Sequence, residues 1–136
     1  MVSLHWHTLD VEYASAMAPE AAIQAVIGKN AYLLTFTTIY NYISTQLHST
    51  HVVSTSLGLC EPFMPPAGMT TANNIFMQAA AQGQSWFAAS GHSGADDCGT
   101  GGSTPAVDFP ASSPHGHPRV GGTVLTARAV RIFSVN

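Results

Sequence analysis

The stretch AASGHSGADDCGTGG, residues 88–102, concentrates the residue types that could do chemistry. Within it, Gly91-His92-Ser93-Gly94 sets a serine between glycines after an apolar segment, as a nucleophile elbow does. An elbow requires a helix directly after its serine, and the following ADDCGTGG cannot propagate one. Ser93 is therefore read as a loop serine that hydrogen-bonds its own backbone. Two histidine pairs, His5-x-His7 and His115-x-His117, would each place two imidazoles on one face of a strand. They lack cysteine or carboxylate partners at ligand spacing, so no metal site is expected. Cys60 and Cys98 both fall in glycine-rich turns, which permits a disulfide without requiring one.

The elements that must position these residues follow from hydrophobic periodicity. Residues 9–18 read as a helix with Leu9, Tyr13, Ala16 and Met17 on one face, stopped by Pro19. The short apolar run 21–27, closed by Gly28, reads as a buried strand. Phe36, Ile39, Tyr40, Ile43 and Leu47 give residues 35–47 a helical stripe. Residues 51–57 are β-branched and end at Gly58, a second strand. The alanine-rich run 71–82 is a helix closed by Gly83, and SWFAA, residues 85–89, is a third strand. Residues 90–118 read as loop, and residues 121–132 alternate as a strand or strand pair. Helices alternating with strands specify an α/β fold built on a parallel sheet, with sites beyond the carboxyl ends of the strands. That rule sets residues 28–30, 56–58 and 90–94 along one rim.

Composition excludes several functions. The chain has 136 residues, enough for a single domain, and 46% of them are hydrophobic. Only 8% are charged, against roughly 25% in ordinary soluble domains. With four basic residues and a net charge of −3, no basic patch for nucleic acid can be built. No apolar run approaches the roughly 20 residues of a membrane span, so no membrane partner is expected. The opening MVSLHWHTLD lacks a basic start followed by an apolar block. Low charge with many small polar residues suits a secreted protein, whose export signal is then expected outside this chain.

An ordered set of motifs carries a family resemblance: Leu9-Asp10-Val11-Glu12, Met17-Ala18-Pro19, Ser54-Thr55-Ser56-Leu57-Gly58, Ser90-Gly91-x-Ser93-Gly94-Ala95, Asp108-Phe109-Pro110-Ala111-Ser112-Ser113-Pro114 and Gly121-Gly122-Thr123. Residues 8–123 resemble the sedolisins, the subtilisin-fold serine-carboxyl peptidases that work in acid, and most of all their bacterial secreted members. The implied fold is a partial subtilisin-like, doubly wound parallel sheet with helices on both faces. The chain is read as one partial peptidase domain, 1–136, that diverges from the family at residues 1–7 and 115–119.

The resemblance implies a serine nucleophile, a glutamate general base supported by an aspartate, and a second aspartate in the oxyanion hole. A carboxylate base suits acid, where imidazole would be protonated. Asp10 matches the supporting aspartate; the base belongs one helical turn earlier, where this chain has Trp6. Indole offers no basic lone pair. His92 stands where the oxyanion aspartate belongs, and its N–H can still donate to an oxyanion. The nucleophile's Gly-Thr-Ser motif does not occur in the chain, and the family's calcium site is expected downstream of Asn136, so no cofactor is expected here. The implied peptide-binding segments are Ser56-Leu57-Gly58 and Ala89-Ser90-Gly91, which would pair with an extended substrate. The resemblance also implies a Cys60–Cys98 disulfide, stapling the loops beyond those segments.

The expected partner is a peptide or protein substrate. The expected function is that of a fragment or degenerate relative of a secreted acid serine-type endopeptidase, inactive as this chain alone. The alternative is a non-catalytic peptide-binding remnant. Exposed sheet edges are expected to favour self-association.

Overall fold

The computed structural model describes residues 4–30, 32–91, 93–99, 105–115 and 119–120, with side chains at positions 8–30, 32–91, 93–99 and 105–115. Among the described residues, helices α1 (Leu4–Met17) and α2 (Leu33–Gln46) precede strands β1 (Val52–Thr55) and β2 (Leu59–Cys60), and helix α3 (Pro66–Ala81) precedes strands β3 (Ser85–Ala89), β4 (Asp108–Phe109) and β5 (Arg119–Val120). Among the described residues, β1, β3 and β5 form a parallel sheet in the order β1-β3-β5, and β2 and β4 form a small antiparallel pair. The register sets Val52 opposite Ser85 and Thr55 opposite Ala88. This is an α/β fold with a small sheet.

The burial pattern explains the register. In β3, Trp86 and Ala88 are buried while Ser85 is exposed and Phe87 half-buried; in β1, Val53 is buried between exposed Val52 and Ser54. Period-two alternation therefore gives the sheet one dry face. Tyr40 of α2 meets the Trp86 ring edge-on and Phe76 of α3 meets it at a tilt, at centroid distances of 5.5 and 5.2 Å, so both helices cover that face. Helix cover is present on this one face among the described residues.

Helix α3 buries Ala72, Ile75, Phe76 and Ala79, a stripe at i, i+3, i+4 and i+7. It begins one turn earlier than its apolar stripe, because Pro66 occupies a first-turn position where its missing N–H and fixed φ cost nothing. It ends where Gly83 takes a φ of +81°. Helix α2 begins beside Asn30, whose Oδ1 accepts from the Tyr32 N–H and the Thr35 hydroxyl. Buried Gln84 donates its side-chain amide to the Leu47 carbonyl at 3.0 Å, so the residue just before β3 also closes α2.

Two expectations are corrected. Residues 21–27 are not a strand: only Val26 packs on the core, and residues 21–25 are exposed. A short apolar run needs a free strand edge to pair with, and this run passes instead over the start of α2, where Gly28 lies against Thr35 and Ile39. Helix α1 forms, but its apolar residues find no core: Leu9, Tyr13 and Met17 are exposed. The β2–β4 pair falls inside segments read as turn and loop. The strand expected over residues 121–132 lies outside the described residues.

Candidate functional site

The ladder between β1 and β3 ends at Thr55 and Ala88; beyond it β1 continues as Ser56-Leu57-Gly58, while Ala89 still pairs with Val120 of β5 and Ser90-Gly91 follow it out of the sheet. These are the carboxyl ends of neighbouring parallel strands, where α/β sheets carry their sites. Ser56 and Gly58 are exposed, and Leu57 and residues 89–91 are half-buried. The structure thus brings six of the sequence-derived site residues to one rim.

Each segment is backed by a carboxylate. At Gly58 a Cβ would come within 2.7 Å of Asp108 Oδ2, so the Asp108 side chain fills the space a larger residue would need. Gly91, at φ +86°, sits in the left-handed region, and a Cβ there would overlap the Asp97 carboxylate. Cys60 and Cys98 form a disulfide with a Cα–Cα distance of 5.3 Å. Cys60 lies two residues past Gly58 and is paired with Asp108 across β2 and β4; Cys98 follows Asp97.

The loop bearing Asp97 is itself ordered by short-range bonds. The Asp96 N–H donates to Ser93 O, the Gly99 N–H to Asp96 O at 3.0 Å, and the Ala106 N–H to Ala95 O at 2.9 Å. Ser93 is an exposed member of this loop. On the other side, the Glu61 N–H donates to Val107 O at 3.0 Å, and the Ser113 hydroxyl donates to Asn73 Oδ1 of α3 at 2.7 Å. These bonds anchor the Asp108–Ser113 segment between the disulfide and the helix layer.

Behind the rim, Tyr40 is 5% exposed, and burial pushes its hydroxyl up to about 12 against a hydrogen bond from the Thr55 side chain. Thr55 is the last residue of β1, so this bond fixes the start of the 56–58 segment from beneath. A small apolar recess lined by Leu33, Phe36, Tyr40, Leu59, Met64 and Phe109 opens beside Gly58.

Asp10 is not assembled with this rim through packing, since every α1 residue from Thr8 to Met17 is exposed. Positions 6 and 10 both lie on α1, one turn apart. His92 lies outside the described residues, as do His117 and the side chains of His5, Trp6 and His7. His115 is half-buried, and its N–H donates to the Ser113 hydroxyl. Among the described residues, no group of three His, Cys, Asp or Glu side chains could hold a metal ion. Sequence reasoning did not assign Asp97, Asp108, Thr55 or Tyr40 a part in the site. The signal was a glycine in each rim segment, Gly58 and Gly91, which invites a close approach by another side chain.

No family model matches the chain. It is 38% identical over 124 residues to kumamolisin of Bacillus sp. (strain MN-32), a match that covers 91% of this chain and 22% of that protein. It is 40% identical over 88 residues to sedolisin of Pseudomonas sp. (strain 101), covering 61% of this chain and 15% of that one. Its fold superposes with a TM-score of 0.60 and 33% identity on Pseudomonas sedolisin, a serine-carboxyl proteinase complexed with two molecules of pseudo-iodotyrostatin. That match covers 74% of this chain and 28% of the solved one. The matches thus span 22% and 15% of the length of these two curated relatives.

Proposed function

This chain belongs to the sedolisin family of peptidases, and on that premise we propose that it carries the peptide-binding rim of a secreted, acid-active serine-type endopeptidase. The observation that carries the reading is the parallel pairing of β1 with β3, whose carboxyl ends continue into residues 56–58 and 89–91 as neighbouring segments. An extended peptide laid along them would be held by main-chain hydrogen bonds, with side chains alternating toward and away from the rim. Gly58 and Gly91 carry no side chain of their own, and each is backed by a carboxylate, Asp108 and Asp97.

In this reading Asp10 is the supporting carboxylate and His92 an N–H donor at the oxyanion position. The 136 residues alone do not hydrolyse peptides. Position 6 is tryptophan, which accepts no proton, and no Gly-Thr-Ser supplies a nucleophile. A second reading, a peptide-binding protein without catalysis, rests on the same rim. Among the described residues β1 is an edge strand and Val52 is 65% exposed, which supports self-association as a property of either.

Titrating a fluorescein-labelled hexapeptide of alanine and phenylalanine at pH 4, with chromatography of the products, tests the proposal. Saturable binding without cleavage is the expected result. Cleavage abolished by Asp10→Ala would overturn the inactivity of the chain, and absence of binding would overturn the rim.

A further inference from the structure

We propose that Asp97 is a positioning residue for the Ala89–Gly91 arm, clamped onto Gly91 by the Cys60–Cys98 disulfide; its effect on peptide affinity rests on the rim reading above. Four observations meet here. Gly91 holds a φ of +86° that L side chains rarely adopt. The Asp97 carboxylate occupies the very space a Cβ on Gly91 would take. Asp97 is half-buried within a loop tied by the Asp96–Ser93, Gly99–Asp96 and Ala106–Ala95 bonds. Its neighbour Cys98 is covalently joined to Cys60, two residues beyond Gly58.

These contacts close a frame around the rim. On one side the arms are joined by the β1–β3 ladder. On the other a continuous path runs from Gly58 through Cys60, the disulfide and Cys98 to Asp97, which rests on Gly91. An arm free at one end would sample several conformations, and each peptide bound would have to select one. With Asp97 seated, Gly91 is held in the conformation that sets the direction of the chain into position 92. The carboxylate acts through its shape against the glycine, so its charge is dispensable.

The full oxidised chain, isotope-labelled for NMR, gives a readout that does not depend on peptide. Asp97→Ala is expected to shift the Ser90 and Gly91 amide resonances and to weaken binding of the labelled hexapeptide about five-fold through lost pre-organisation. Asp97→Asn, the same shape without charge, keeps both near wild type. Gly91→Ala reproduces the loss, and costs less when combined with Asp97→Ala because the collision is gone. Asp97→Ser replaces the alanine variant if that one does not fold. Unchanged Ser90 and Gly91 resonances on truncation overturn the proposal. So does an asparagine variant that loses affinity with its resonances in place, which would mean direct charge contact with the peptide. If the wild-type chain binds no peptide yet truncation moves the resonances, the rim reading falls and the positioning role stands.

Discussion

The Tyr40 hydroxyl, buried beneath the sheet, is hydrogen-bonded to the side chain of Thr55, the last residue of β1 before the exposed 56–58 arm. One bond thus couples the aromatic core to the rim. The ring also meets Phe76 at 5.2 Å and Trp86 edge-on at 5.5 Å, so its position is fixed by both α3 and β3.

Tyr40→Phe removes that bond while keeping the ring, and should cost about 1 kcal/mol in urea unfolding. It should also flatten the alkaline limb of stability. Burial raises the folded Tyr40 pKa to about 12 from 10.0, so its neutral form is favoured in the fold. That contribution is fully present below pH 10 and is lost as pH rises toward 12, at about 1.4 kcal/mol per pH unit. Melting temperatures measured from pH 8 to 12 should fall more steeply for wild type than for the variant above pH 10. Parallel profiles would show that Tyr40 does not titrate with unfolding.

Phe76→Ala should be the most damaging single truncation. Phe76 is fully buried and touches Tyr40, Trp86 and Phe109, so it links α2, α3, β3 and β4. Loss of its contacts plus the cavity left behind costs about 3–5 kcal/mol, a large share of a small domain's stability. Met77→Ala, next in sequence but 44% exposed, should stay within about 0.5 kcal/mol. Urea midpoints of the two variants check the contrast.

How legible all this was depended on whether a segment's partner could be read locally. Residues 85–89 were found as a strand to the residue, because Trp86 and Ala88 alternate with Ser85 and Phe87. The stripes of α2 and α3 gave each helix within a few residues, and the missed first turn of α3 is a proline effect rather than a periodic one. Residues 21–27 were misread because apolar content alone does not supply a strand edge. Leu9, Tyr13 and Met17 make a helix face, but periodicity does not say whether anything covers it. Residues 56–58 and 89–91 are singled out by the family resemblance rather than by periodicity. The Asp97 and Asp108 contacts were not legible, since they join residues 6 and 50 positions apart in sequence.

Helix α1 should behave as a nearly isolated helix in this chain. It has 14 residues, and every described side chain in it is exposed. Isolated helices of this length are marginal in water, because nucleation is costly and no tertiary packing offsets it. Amide exchange of residues 8–17 should therefore be complete in minutes, while the buried positions Phe76, Ala79 and Trp86 stay protected far longer. Equal protection in α1 and α3 would mean that α1 is covered, for instance by another copy of the chain.

The disulfide should contribute more stability than any single apolar contact except those of the aromatic cluster. Cys60 and Cys98 are 38 residues apart, and closing a loop of that length in the unfolded chain lowers its entropy by an amount worth about 4 kcal/mol at 25 °C. The cross-link joins the two rim loops directly, so its loss should be felt most there. The Cys60→Ser, Cys98→Ser double variant should lose most of this stability in urea titrations, and wild type reduced with a dithiol should match it. A loss below about 1 kcal/mol would mean that the Asp96–Ala106 bridge and the β2–β4 pair hold these loops without the covalent bond.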